Sequence, residues 1–205
     1  MSRRGGIAAH LVPPAAPERV YLGLGGNLGD RLHYLRQGLF ALLAHPEIHV
    51  DAISRVWESA YVGPGAPQAP YLNLVCAVRT ELAPAALLAV GKGIEQRLGR
   101  APGGHLLPRT LDLDILLHGD RRGSDALLTL PHPRLETRGF VLGPLAELAP
   151  ALILPDSGET AAAAWARIEA EDGPWLGPLT QPVIEMREAA GGEEDWRAAL
   201  AVHCR

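Results

Sequence analysis

Apolar and polar positions along this chain fall into two rhythms, one helical and one alternating. Leu32, Leu35, Leu39, Leu42 and Leu43 recur at helical spacing, which predicts a helix from about Arg31 to Ala44, with Asp30 as N-cap and Pro46 as its stop. Before it, Arg19–Leu24 reads as a short strand running into Gly25-Gly26-Asn27. After it, Val50, Ile53, Val56 and Trp57 predict a second strand over His49–Tyr61, and a turn-rich loop follows at 62–70. Tyr71–Glu81 is rich in β-branched and aromatic residues and predicts a strand. Pro84 then opens a helix over about 84–98 that ends at Gly99. Arg109–Leu117 is the clearest strand pattern, and further strand and helix pieces are predicted at 127–130 and 138–148. Strand, helix, strand, strand, helix, strand fits an α+β fold: a ferredoxin-like sandwich with a largely antiparallel sheet covered by helices.

Composition changes this picture mainly at the ends. Residues 1–18 are rich in Arg, Gly, Ala and Pro and are expected to form a disordered leader. Beyond residue 160 lies an extension, 161–205, without a recognisable role; an alanine-rich helix is expected over Thr160–Ala170 and a last one over Glu193–His203. The apolar fraction of 47% and charged fraction of 20% are those of a globular domain, and a net charge of −4 points to neither nucleic acid nor an anionic membrane. Cys76 and Cys204 are too few and too far apart for a disulfide framework or a metal knuckle. With no targeting segment and no apolar run of about 18 residues, a cytoplasmic location is expected.

The chemistry concentrates around Asp112 and Asp114. Strand side chains two apart share a face, so both carboxylates project together while Leu111, Leu113 and Ile115 fill the other face. Such a pair is costly unless a cation neutralises it, and hard oxygens with room for water and phosphate suit Mg²⁺. A lone D-x-D also reads as a solvated edge; its company favours the metal. Arg97, Arg100, Arg109, Arg134 and Arg138 flank it and offer planar donors for phosphate oxygens. Glycine-rich alternatives fail: Leu28 occupies the last glycine position of a dinucleotide fingerprint, and Gly91-Lys92 is followed by Gly93, not Ser or Thr. A second constellation is Trp57, Tyr61, Tyr71, Asn73 and Phe140, where an amide suits the edge of a heteroaromatic ring and Phe140 its face.

The blocks YLGLGGNLGDR (21–31), YLNLVCAV (71–78), IEQRLGR (94–100), PRTLDLDILL (108–117) and LPHPRLETRGFVLGPLAELAP (130–150) together resemble the 6-hydroxymethyl-7,8-dihydropterin pyrophosphokinases of folate synthesis. The resemblance spans about Val20 to Pro155. It implies a monomeric ATP-dependent diphosphotransferase over residues 19–160, with ATP and hydroxymethyldihydropterin as substrates and two Mg²⁺ ions held by Asp112 and Asp114. It further implies Arg100 and Arg109 at the transferring phosphates, and Glu95, Arg109, His132 and Arg138 at ATP. Gly25, Asn27, Tyr71, Asn73 and Phe140 would belong to the pterin pocket.

This chain departs from the family pattern in the loop 101–107, where His105 and Leu106 stand at the usual places of a basic residue and a tryptophan. Ala60 replaces a frequent proline, and Gly25-Gly26-Asn27 replaces G-S-N. The alternative readings are a pterin- or nucleotide-binding protein of weak or lost turnover, suggested by that loop, and a plain interaction domain, which the paired carboxylates argue against. If the loop leans on a protonated His105, with an unperturbed pKa of about 6.5, single-turnover activity falls as pH rises through the histidine range. His105→Arg then flattens that profile, whereas a parent-like profile in His105→Ala excludes the histidine from the reaction.

Overall fold

The computed structural model describes residues 13–14, 16–61, 64, 66–100, 107–172 and 177–178. Within them, β1 (Glu18–Gly26) is followed by α1 (Arg31–Leu43), β2 (Ile48–Ile53), β3 (Trp57–Ser59), β4 (Tyr71–Thr80), α2 (Pro84–Arg97) and β5 (Asp112–His118). A small hairpin of β6 (Gly123–Ser124) and β7 (Thr129–Leu130) leads to α3 (Gly139–Leu148), α4 (Ala161–Asp172) and β8 (Gly177–Pro178). Six strands form one sheet in the order β5-β1-β4-β3-β8, with β2 also on β4, and every pairing is antiparallel. The expected α+β sandwich is the fold observed. The expected leader at 1–18, the helix at 193–203 and the loop carrying His105 fall wholly or largely outside the described residues; β1 already begins at Glu18.

Alternation along the strands builds two apolar layers. Leu22 and Leu24 of β1, Leu74, Cys76 and Val78 of β4, and Leu113 and Ile115 of β5 face α1 and α2, where Leu35, Leu39, Leu42, Leu87 and Ile94 complete the larger core. Both helices approach closely because they present glycine: a Cβ at Gly38 would stand 2.7 Å from Leu111, and one at Gly91 2.8 Å from Leu113. Asp30 caps α1 as expected, its carboxylate accepting the His33 N–H at 3.0 Å. The opposite face carries a smaller core in which Tyr21, Val75, Ala77, Leu116 and Leu117 meet α3 and α4. Those two helices cover only part of that face. The part left open holds Asp112, Asp114, Gly25 and Asn73.

Two sequence expectations are corrected. The strand predicted over 49–61 is interrupted at residues 54–56, where the Ser54 N–H still donates to the Val75 carbonyl at 2.9 Å but the Ser54 hydroxyl, not a backbone carbonyl, accepts the Val75 N–H at 3.0 Å and itself donates to the Arg55 carbonyl at 2.8 Å. The strand predicted from Arg109 starts only at Asp112. Residues before it cross the end of β1, where Asn27 and Leu28 donate their N–H groups to the Arg109 carbonyl at 3.0 and 3.1 Å. Gly26 permits that crossing, since a Cβ there would stand 2.3 Å from the Thr110 carbonyl oxygen. Among the described residues, no helix is long and apolar enough to cross a membrane.

The helix at the start of the 161–205 extension, α4, is part of the smaller core: Ala161, Ala164 and Ile168 are buried against the α3 layer. Ile168→Ala therefore removes packing at no cost to polar contacts, and a loss of about 2 kcal/mol or more is expected. The thermal midpoint should fall by several degrees; a midpoint within one degree of the parent would show that α4 contributes nothing to the fold.

Candidate active site

The open part of the sheet is a cavity of about 560 Å³, within the range of small-molecule sites. Its floor follows from strand register. Gly25 of β1 pairs with Asp112 of β5 on one side and Asn73 of β4 on the other, and Gly23 pairs with Asp114 and Val75 in the same way. Partners across a sheet share a face, so carboxylate, bare glycine backbone and amide lie side by side across three strands. Gly25 has to be glycine for this: a Cβ would stand 2.7 Å from the side-chain Oδ1 of Asn73. Phe140 and Val141 of α3, Tyr61 and Tyr71 add the walls, and the two tyrosine rings stack at 6.3 Å between centroids.

Five cations (Lys92, Arg100, Arg109, Arg134 and Arg138) and two carboxylates line this cavity among the described residues, a balance that suits a polyanion. The two carboxylates are unequal. Asp112 is desolvated, which alone would raise its pKa, but Arg100 and Arg109 overcome that and hold it below the usual carboxylate range. Arg100 pairs with its Oδ1 and Arg109 Nη1 lies 2.7 Å from its Oδ2. Asp114 is pushed above the usual range by burial and by the charge of Asp112, with Lys92, Arg138 and Arg100 only partly offsetting this. His132 Nε2 lies 4.0 Å from Asp114 Oδ2. Burial, then Arg138 and Arg134, lower the His132 pKa to about 4, so the ring is neutral at pH 7. Its Nδ1 accepts the Arg134 N–H at 3.1 Å, which leaves the proton on Nε2, facing Asp114.

Two desolvated carboxylates whose mutual repulsion is only partly compensated fit a divalent cation. No group of three or more His, Cys, Asp or Glu side chains among the described residues could hold an ion alone, so phosphate oxygens and water would have to supply the other ligands. Arg138 lies over the Phe140 ring, 5.2 Å from its centroid, and burial lowers its own pKa.

Of the residues expected at the site, Gly25, Tyr71, Asn73, Arg100, Arg109, Asp112, Asp114, His132, Arg138 and Phe140 are brought together in this cavity. Glu95, Asn27 and Trp57 are not on its wall. Glu95 is 2% exposed and accepts the Leu113 N–H at 2.7 Å, with Lys92 at 2.7 Å and Arg100 at 2.6 Å. It thus fixes the backbone between the two aspartates. Asn27 is spent on Gln68 at 3.0 Å and on the Arg109 N–H at 2.9 Å, and Trp57 is buried beneath α3 and α4. Arg97 stays exposed at the end of α2. Ser59 and Lys92 line the cavity without having been singled out; the only signal was their place two residues before Tyr61 and one turn before Glu95.

A family model for 7,8-dihydro-6-hydroxymethylpterin-pyrophosphokinase (HPPK) matches residues 21–150. The chain is 42% identical over 139 residues to the 2-amino-4-hydroxy-6-hydroxymethyldihydropteridine pyrophosphokinase of Synechocystis sp., covering 68% of this chain and 70% of that one. The same identity, over 139 residues, relates it to the enzyme of that name from Pseudomonas aeruginosa, covering 68% and 85%. Among solved structures, the HPPK-DHPS S436F/A437G/A613T triple mutant of Plasmodium falciparum superposes with a TM-score of 0.61 at 12% identity, over 78% of this chain and 45% of that one. The chain thus spans about half the length of the solved structures it matches, and these show the fold alone.

The inequality of the carboxylates divides the two Asn variants, which sequence alone would expect to behave alike. A carboxyl raised in the folded state contributes stability below its unfolded pKa and loses it as pH rises through the folded value, so Asp114 is a liability at pH 7. A lowered one contributes above the unfolded pKa and loses it on acidification, which is the case of Asp112. Metal-free Asp114→Asn should hold or raise the midpoint at pH 7, and Asp112→Asn should lower it by leaving Arg100 and Arg109 without their shared carboxylate. Equal shifts of both variants by calorimetry would refute this assignment.

Proposed function

The chain belongs to the 7,8-dihydro-6-hydroxymethylpterin-pyrophosphokinase family, and from that premise we propose how its own residues move the terminal diphosphate of ATP onto the hydroxymethyl group of 6-hydroxymethyl-7,8-dihydropterin in folate biosynthesis. The row Asp112–Gly25–Asn73 carries the reading, because it sets a phosphate-handling carboxylate next to an amide over a floor flat enough for a ring. The pterin lies on Gly25 with its edge at Asn73 and its faces toward Phe140 and the Tyr71 side. The triphosphate lies toward Arg100, Arg109, His132 and Arg138, with Glu95 holding Arg100 and Lys92 in place from behind. Mg²⁺ held by Asp112 and Asp114 together with the phosphates, as two ions, would supply the positive charge that polarises the transferring group.

The hydroxymethyl oxygen forms a bond to the β-phosphorus while the bridge from the α-phosphate breaks on the β side. The bridging oxygen leaves with AMP, and the hydroxyl proton passes to water. Arg100 and Arg109, which share Asp112 in the structure, are placed to follow charge from that carboxylate onto the equatorial phosphate oxygens. His132 offers its Nε2 proton as a donor without adding a charge. No covalent enzyme intermediate is required. The relatives' names favour turnover over a binding protein that has lost it. The protein is taken to act as a cytoplasmic monomer.

Incubation with ATP, Mg²⁺ and the reduced hydroxymethylpterin should release AMP, and Asp112→Asn or Asp114→Asn should slow that release at least about 100-fold. EDTA should abolish ATP binding in calorimetry while leaving the pterin site competent once a non-hydrolysable ATP analogue and Mg²⁺ are restored. Near-parent AMP release by either variant, or tight ATP binding without metal, would overturn the assignment of the carboxylates.

A further inference from the structure

The extension that begins at residue 161 lies beyond the family-matched residues 21–150, yet it grips the strand next to Asn73 twice. Trp165 of α4 meets Trp57 of β3 edge to face, with centroids 5.2 Å apart and planes at 85°. On the outer edge of the same strand, β8 pairs Gly177 with Glu58 and Pro178 with Trp57. The indole of Trp57 is also held by α3. Its Nε1 donates to Glu147 Oε2 at 3.1 Å, and Gly143 leaves room for the ring, since a Cβ there would stand 2.7 Å from it. The other oxygen of Glu147 accepts the Arg55 N–H at 3.0 Å, at the break that separates β3 from β2.

Strand β3 is only three residues long, too short for its ladder alone to fix its position. Side-chain alternation puts Trp57 and Ser59 on one face. The buried Ser59 hydroxyl accepts Asn73 Nδ2 at 2.9 Å. With its nitrogen so committed, the amide turns its carbonyl oxygen over the bare Gly25 floor of the cavity. An acceptor fixed there suits a ring edge that carries N–H donors.

We propose that Trp165, acting through Trp57 and Ser59, is a positioning residue for the Asn73 amide and so sets pterin affinity from outside the family-matched segment. The proposal rests on the reading of Asn73 as the pterin contact. The coupling is directional: β3 supports the Asn73 side of the cavity, whereas the Asp112 side is supported by Glu95 on α2. A loosened Trp57 therefore disturbs one substrate and spares the other.

The test measures binding of the hydroxymethylpterin in the presence of a non-hydrolysable ATP analogue and Mg²⁺, and binding of that analogue alone. Trp165→Ala should weaken the pterin about fivefold to tenfold, the scale of one aromatic edge-to-face contact, with analogue affinity within twofold of the parent. Trp165→Phe should restore most of the loss, and Ile168→Ala, which loosens the same helix but keeps both indoles, should lower stability without a pterin effect. If Trp165→Ala does not fold, Trp165→Leu carries the same comparison. Parent-like pterin affinity in a folded Trp165 variant, or equal weakening of both ligands, overturns the proposal. Asn73→Ala separates the two levels: if it leaves pterin affinity intact, the reading of Asn73 fails and the inference falls with it; if it weakens the pterin while the Trp165 variants do not, the inference alone fails.

Discussion

Two carboxylates on neighbouring same-face positions of one strand repel, and much of the surrounding architecture answers that repulsion. Arg100 and Arg109 converge on Asp112 and make it the stable anion of the pair. Asp114 is left with burial and a charged neighbour, so its repulsion is stored rather than cancelled. A pair fully neutralised by arginines would have little affinity for a cation, and a pair with no arginine would strain the fold. Unequal compensation leaves uncancelled negative charge beside Asp114 while keeping the strand in place, the balance that the proposed metal-and-phosphate site requires.

The strand that carries the pair is at an edge of the sheet, which would normally leave its backbone groups free to pair elsewhere. Two contacts prevent this. Glu95 accepts the Leu113 N–H at 2.7 Å and His132 donates its own N–H to the Leu116 carbonyl at 2.9 Å. Each of these residues also serves the site: Glu95 steadies Arg100, and His132 faces Asp114. Edge protection and site assembly are therefore the same set of hydrogen bonds, and removal of Glu95 would disturb both.

The period-two pattern made the Asp112–Asp114 face legible from sequence, because geometry alone dictates which side chains share a side. The helix spacing of the leucines similarly gave α1 with its cap. Other features carried no such signature. The break at Ser54 depends on a hydroxyl bonding to the backbone of β4, and Val50, Ile53 and Val56 read as one run across it. Glu95 and Asn27 carry the same chemical groups whether they face a substrate or an internal N–H, and only the tertiary structure shows them turned inward. Trp57 is the reverse case of Phe140: both are scarce aromatics, but α3 covers one and presents the other to the cavity.

The alanine-rich α4 shows why the last part of the chain was hardest to read. Alanine gives a helix propensity without marking a face strongly, so neither its docking on α3 nor its target could be deduced from spacing. Once it is docked, its one large ring falls on Trp57. A helix of small residues can sit close to its neighbour and bring a single bulky side chain to bear on a short strand. The open cavity needs such support. Its floor is glycine backbone, which offers no side-chain packing, so the walls must be held from their far sides. Glu95 does this for β5 from α2, and the indole contacts do it for β3 from α3 and α4. The Asp112 and Asn73 halves of the cavity are thus braced by different helices on opposite faces of the sheet, so a change in one brace need not reach the other half.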